Sequence, residues 1–136
     1  MRAIVLLFLA GAVLAQAPAY QPVASVAQIM LAMSYPASDA IFYVERNPPK
    51  NDNDWEALGR QGLLVAESGN LLMMPGRARD QGKWIDDARL MVQAGAAAFK
   101  AARAKDLQAV LALNSQLEAS CVTCHQDYRP NYHKRR

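Results

Sequence analysis

The chain has 136 residues, with 15 Lys and Arg against 12 Asp and Glu, a formal net charge of +3. Arg129, Lys134, Arg135 and Arg136 stand in a tail without an acid, while residues 16–128 hold 10 basic residues against 12 acidic ones. A short basic tail on a slightly acidic body is not the basic face that nucleic-acid binding requires.

The N-terminus carries Arg2, then an apolar run over residues 4–13, then small residues with Val13 and Ala15 at the −3 and −1 positions of a cleavage site. This order predicts a secretory signal peptide over residues 1–15 and an exported, periplasmic domain over residues 16–136. A cut after Ala17 would place Pro18 at the +1 position, which is unfavourable. An uncleaved anchor is the competing reading, but the run is well short of the roughly 20 apolar residues of a spanning helix. Nothing after Ala15 is apolar for long enough to span a bilayer, and the remaining chain suits one domain with one core.

Four amphipathic helices with short breaks follow, and no strand is predicted. Ser25 with Gln28 has the form of a capping box. The apolar residues Val26, Ile29, Met30, Met33, Ala37, Ile41 and Val44 then repeat at helical spacing. Pro36 lies inside that stripe and predicts a kink or short break, because it lacks a backbone donor. Asn47-Pro48-Pro49-Lys50-Asn51 ends the segment.

Asn53 with Glu56 predicts the start of the second helix, whose stripe is Trp55, Leu58, Gly62, Val65, Ala66, Gly69, Leu72 and Met73. Gly59, Gly62 and Gly69 each cost up to about 1 kcal/mol in a helix interior. They fit where a neighbouring helix or a flat ligand comes close to the backbone. Pro75-Gly76 stops this helix. Asp80 is the expected cap of the third, with Trp84, Ala88, Met91, Gly95, Ala98, Phe99 and Ala102 inward. Asp106 opens the fourth, with Leu107, Val110, Leu111, Asn114, Leu117, Cys121, Cys124 and His125 on its stripe, and Pro130 closes it. Short connections predict an all-α, antiparallel up-down-up-down four-helix bundle.

The two cysteines lie three apart, so a disulfide between them would close a tiny loop and stabilise little. Cys121-Val122-Thr123-Cys124-His125 is a CxxCH motif, the signature of covalent haem attachment. Two thiols one turn apart can add to the two vinyl groups of a porphyrin. A His four residues after the first Cys projects to the same side, where it can reach the iron. A thioredoxin-type redox pair belongs at the start of a helix after a strand, whereas this pair ends the last helix. A zinc site would have only His125 and His133 as further imidazoles, at a spacing that matches no common zinc pattern. Export agrees with haem attachment, which takes place outside the cytoplasm.

A C-terminal CxxCH on the fourth helix of an exported bundle resembles the class II cytochromes c, the cytochrome c′ family. The resemblance covers residues 25–132. It is carried by the CxxCH with Tyr128 and Arg129, by Ala101-Ala102-Arg103-Ala104-Lys105-Asp106, and by Asn70-Leu71-Leu72-Met73-Met74-Pro75-Gly76-Arg77. Ser25-Val26-Ala27-Gln28-Ile29-Met30 with Pro36-Ala37-Ser38-Asp39 is similar to a branch of that family; of all these segments, only the CxxCH is highly specific.

The resemblance implies one haem c held by Cys121, Cys124 and His125, with the first helix covering its distal side. Low-spin members supply a Met sulfur from that helix as sixth ligand; high-spin members leave the iron five-coordinate and bind nitric oxide or carbon monoxide. Met30 matches the family's distal-Met region better than Met33, although methionine on a helical stripe is ordinarily core filler. His125 and Met30 are therefore the expected axial ligands, with Met33 or no sixth ligand as alternatives. Arg129, one turn beyond His125, is placed to pair with a propionate, as family members often have Arg or Lys there; a surface role is the competing reading. His133 reads as a solvated tail residue. Trp55 and Trp84 face the interior. The expected function is one-electron transfer without catalysis, with an unidentified redox protein as partner and a homodimer through the first two helices as a further implied assembly. A five-coordinate, gas-binding protein is the alternative.

Overall fold

The computed structural model of the protein describes residues 20–129. The signal-peptide segment with its cleavage site, and the tail from Pro130 with His133, lie outside the described residues. Among the described residues every regular element is helical: α1 (Val26–Ile29), a π-helical turn (Met30–Ser34), α2 (Tyr35–Phe42), a 3-10 turn (Val44–Arg46), α3 (Asp52–Leu72), α4 (Lys83–Arg103), α5 (Leu107–Ala112) and α6 (Asn114–Tyr128). The elements from α1 to α2 follow one another without a gap, and α5 and α6 are separated by Leu113 alone. The result is a bundle of four helical rods. No helix among the described residues is long and apolar enough to cross a membrane.

Local chemistry sets the helix starts. The Ser25 side chain accepts from the Gln28 amide at 3.3 Å, and Gln28 Oε1 accepts from the Ser25 amide at 2.9 Å, forming the expected capping box. Asp106 caps α5 by accepting from the Ala109 amide at 2.9 Å. Two expected caps shift. Asn51, not Asn53, caps α3 by accepting from the Asp54 amide at 3.0 Å, while the Asp54 carboxylate reaches back to the Lys50 amide. Gly82, not Asp80, holds the cap position of α4, although Asp80 Oδ1 still accepts from the Gly82 and Trp84 amides at 2.9 and 3.1 Å.

Pro36 leaves the rod continuous. Its missing donor is absorbed one step earlier, where the helix widens into the π turn and the Tyr35 amide bonds to the Met30 carbonyl. The fourth rod, expected to be continuous, is interrupted at Leu113, whose amide bonds to the Val110 carbonyl in a tightened turn. Asn114 follows, its carboxamide oxygen buried without a hydrogen-bond partner.

The core lies where the four stripes meet. Ile29, Ile41, Val65, Val110 and Leu117 are fully buried, and Trp84, Ala88, Met91, Ala98 and Ala102 are buried along α4. The closest approach is between α3 and α4. A Cβ on Gly62 would stand 2.5 Å from the Phe99 nitrogen and 2.9 Å from the Gly95 oxygen, and one on Gly95 would press on the Ala66 nitrogen. Gly69 faces Ala88 and Val92, and Gly59 faces Phe99 and Ala102, so numbers rise along α3 as they fall along α4. A neighbouring helix, not a ligand, is thus what Gly62 and Gly69 admit.

The seam predicts opposite signs for one chemical change. Gly95→Ala and Gly62→Ala should each destabilise by about 1–3 kcal/mol through overpacking. At Gly59 the added Cβ meets nothing nearer than 3.5 Å, so Gly59→Ala should be neutral or stabilising by up to about 1 kcal/mol from helix propensity. Urea unfolding of the three variants checks this, and equal effects at 59 and 95 would contradict the close seam.

Candidate functional site

Helical periodicity on α6 sorts the motif residues. Leu117, Ser120, Cys124 and Tyr128 form the inward stripe: the first two are buried, and the last two are half-buried against the core. Cys121 and His125, four apart, flank that stripe and are also half-buried. The structure therefore brings Cys121, Cys124 and His125 together on the last two turns of α6. Both cysteines are free thiols. Among the described residues no three His, Cys, Asp or Glu side chains are grouped as a metal cage would require.

Burial governs the protonation of all three. It pushes the Cys121 thiol above its ordinary range, against the hydrogen-bonding contact with Ser120, which acts the other way. Cys124 is pushed up to about 11, by burial first and then by the negative charge of Asp87. His125 is held below the usual imidazole value by burial and by the nearby charge of Arg129. At neutral pH the site thus presents two thiols and a neutral imidazole, the form in which histidine ligates a metal. Arg129 itself is exposed and ends α6, its amide bonding to the His125 carbonyl at 3.2 Å.

The end of α6 is held against the start of α4 by a dense set of contacts that sequence reasoning missed. The Tyr128 ring meets the Trp84 ring edge-on, with centroids 5.0 Å apart and planes at 80°. Trp84 is buried and donates its indole N–H to the Leu72 carbonyl at 2.8 Å, tying the end of α3 into the same corner. The Tyr128 hydroxyl donates to Asp80 Oδ2. Arg79 donates to the Tyr128 carbonyl at 3.3 Å with its guanidinium 5.6 Å from the centroid of the Trp84 ring. Lys83 Nζ lies 2.8 Å from Asp127 Oδ2 and 3.2 Å from Asp87 Oδ1. One signal was available: Asp87 lies three residues after Trp84, on the apolar face of α4, where a carboxylate is out of place without a partner.

Met30 sits on another element. It opens the π turn, is half-buried and packs on the same core cluster that Cys124 packs on. Met33 lies in the same turn, half-buried. The Ser34 hydroxyl at the end of that turn is buried without a hydrogen-bond partner.

No protein-family model, curated protein sequence or solved structure matches this chain.

The Tyr128–Asp80 bond has a pH signature. Donation to the carboxylate raises the Tyr128 phenol to about 12 and lowers Asp80 below its usual range. Since the folded phenol holds its proton longer than an unfolded one at roughly 10, its contribution is complete below about pH 10 and lost as pH rises through about 12. Carbon-labelled tyrosine NMR should show Tyr128 titrating near 12 in the native chain and near the ordinary value in Asp80→Asn; unchanged titration in the variant would mean that the bond does not form.

Proposed function

We propose that this protein is a periplasmic monohaem c-type cytochrome that carries single electrons, built as an antiparallel up-down-up-down four-helix bundle of the cytochrome c′ kind. The observation that carries the reading is the CxxCH motif on the last two turns of α6, with its two thiols protonated and its imidazole neutral. The opposed numbering along the α3–α4 seam supports the antiparallel order.

The donor set fits haem better than its rivals. A redox dithiol needs a thiolate, and helix N-termini and nearby cations lower a thiol to that state. Here the pair lies at a helix C-terminus, beside carboxylates, and is raised instead. A zinc cage needs ligands aimed at one point, whereas these side chains are not so grouped. Thioether formation needs the two sulfurs directed to separate vinyl groups: each S–H adds across a C=C, sulfur bonding to one carbon and the proton ending on the other. Haem held in this way supplies a ferric/ferrous couple that moves one electron at a time.

The protein's own residues have distinct tasks. Cys121 and Cys124 would hold the porphyrin, and His125 would offer its ring nitrogen to the iron. Met30, from the first rod, would offer its sulfur to the iron, a ligand that stabilises the reduced form and raises the potential. Arg129, exposed at the mouth of the site, pairs with a propionate. The same ligand set in both oxidation states favours transfer over catalysis, and a redox protein is the partner.

The test is expression with the haem-attachment machinery. The chain should gain the mass of one haem that resists extraction, and Cys121→Ala with Cys124→Ala should abolish it. The ferric protein should be low-spin with the red charge-transfer band of methionine sulfur on haem. Met30→Ala should remove that band while Met33→Ala leaves it; the reverse moves the ligand to Met33. A high-spin ferric spectrum that shifts on adding nitric oxide would replace electron transfer by gas binding.

A further inference from the structure

A buried carboxylate stands close enough to Cys124 for its charge to act on the thiol, and the bundle alone gives it little reason to be there. Asp87 is 3% exposed on the apolar face of α4, between Trp84 and Met91. Its neighbour Lys83 has a half-exposed side chain, and Lys83 also holds Asp127, which is 42% exposed. Buried ion pairs seldom repay the desolvation of their charges, and an apolar residue of similar size generally serves the fold as well. Asp127 lies three residues beyond Cys124, so the two share a face of α6. The three charged groups therefore sit where α4 meets the thiol-bearing turn, with two carboxylates against one ammonium. Their sum is one negative charge, and its buried member is weakly screened by salt. Of the other charges in this corner, Asp80 and Arg79 are opposite in sign, Asp80 accepting from the Tyr128 hydroxyl and Arg79 lying over Trp84, and Arg129, whose charge reaches His125, is exposed to solvent.

Resting on the haem reading above, we propose that Asp87, Lys83 and Asp127 form a charge cluster that sets the reduction potential of the haem held by Cys121, Cys124 and His125. Oxidised haem carries one more positive charge than reduced haem. A net negative cluster beside it favours the oxidised form and lowers the potential, opposing the rise that a methionine ligand brings. Lys83 is the moderating member: it keeps two adjacent carboxylates from acting at full strength. The cluster acts on the haem through space.

Spectroelectrochemical titration of the holoprotein separates charge from scaffold. Asp127→Asn should raise the midpoint potential, Asp127→Lys should raise it further, and Lys83→Gln should lower it. Position 127 is half-exposed, so that pair of variants keeps the fold even where Lys83→Gln weakens it. A merely structural role would move Asp127→Asn and Lys83→Gln in the same direction, since both break the same ion pair. Shifts of the same sign, or no shift at all, would overturn the proposal while leaving haem attachment standing. A native chain that gains no covalent haem would overturn both together.

Discussion

The whole arrangement depends on how closely α3 and α4 approach. Gly62 and Gly95 let the two backbones touch, and a methyl group on either would collide with main-chain atoms that cannot swing away. With that distance set, Trp84 reaches the Leu72 carbonyl at the end of α3 while its ring stays in the core. Tyr128 then stands against Trp84, and Asp80 and Lys83 take hold of the last turn of α6. The turn that bears Cys121, Cys124 and His125 is thus located by a chain of contacts that begins on other helices. Packing decides the position of the site, and Cys124 takes part in it.

Placement at a helix C-terminus also decides the chemistry available to the thiols. The partial negative charge of the last carbonyls, the burial of both sulfurs and the nearby carboxylates all favour S–H over S⁻. The same CxxC at a helix N-terminus would hold a reactive thiolate. Here it is kept neutral. His125 is subject to the same burial with the opposite consequence: loss of the imidazolium leaves a lone pair for coordination.

How much of this was legible in the sequence follows from the range of each signal. The Ser25 and Asp106 caps were readable because capping is settled within four residues. The stripes of α3 and α4 were readable because period alone marks a buried face. Asn51 and Asn53 were both able to cap α3, and the choice turned on the Asp54 carboxylate folding back to Lys50, a detail of local geometry. The interruption at Leu113 had no helix breaker to announce it. The CxxCH was plain as a motif, yet the corner that positions it joins residues 40 and more apart, such as Tyr128 with Asp80 and Asp127 with Lys83. No spacing rule connects such pairs; only the packing of α4 on α6 does.

The first rod illustrates how one misfit residue can reshape a face. Pro36 cannot donate, and the helix answers with a π turn in which hydrogen bonds skip five residues instead of four. In so wide a turn the residue four positions on lies nearly above the first, and the residue three positions on is carried further round than in an α-helix. Ser34, four after Met30, is buried, and Met30 packs on the core. Met33, three after Met30, is half-buried but does not belong to the set packed on that core. An ordinary helix would have kept both methionines close to one stripe, as the periodicity suggested. In the π turn both methionines stay half-buried, and Met30 is the one of the two that packs on the core cluster.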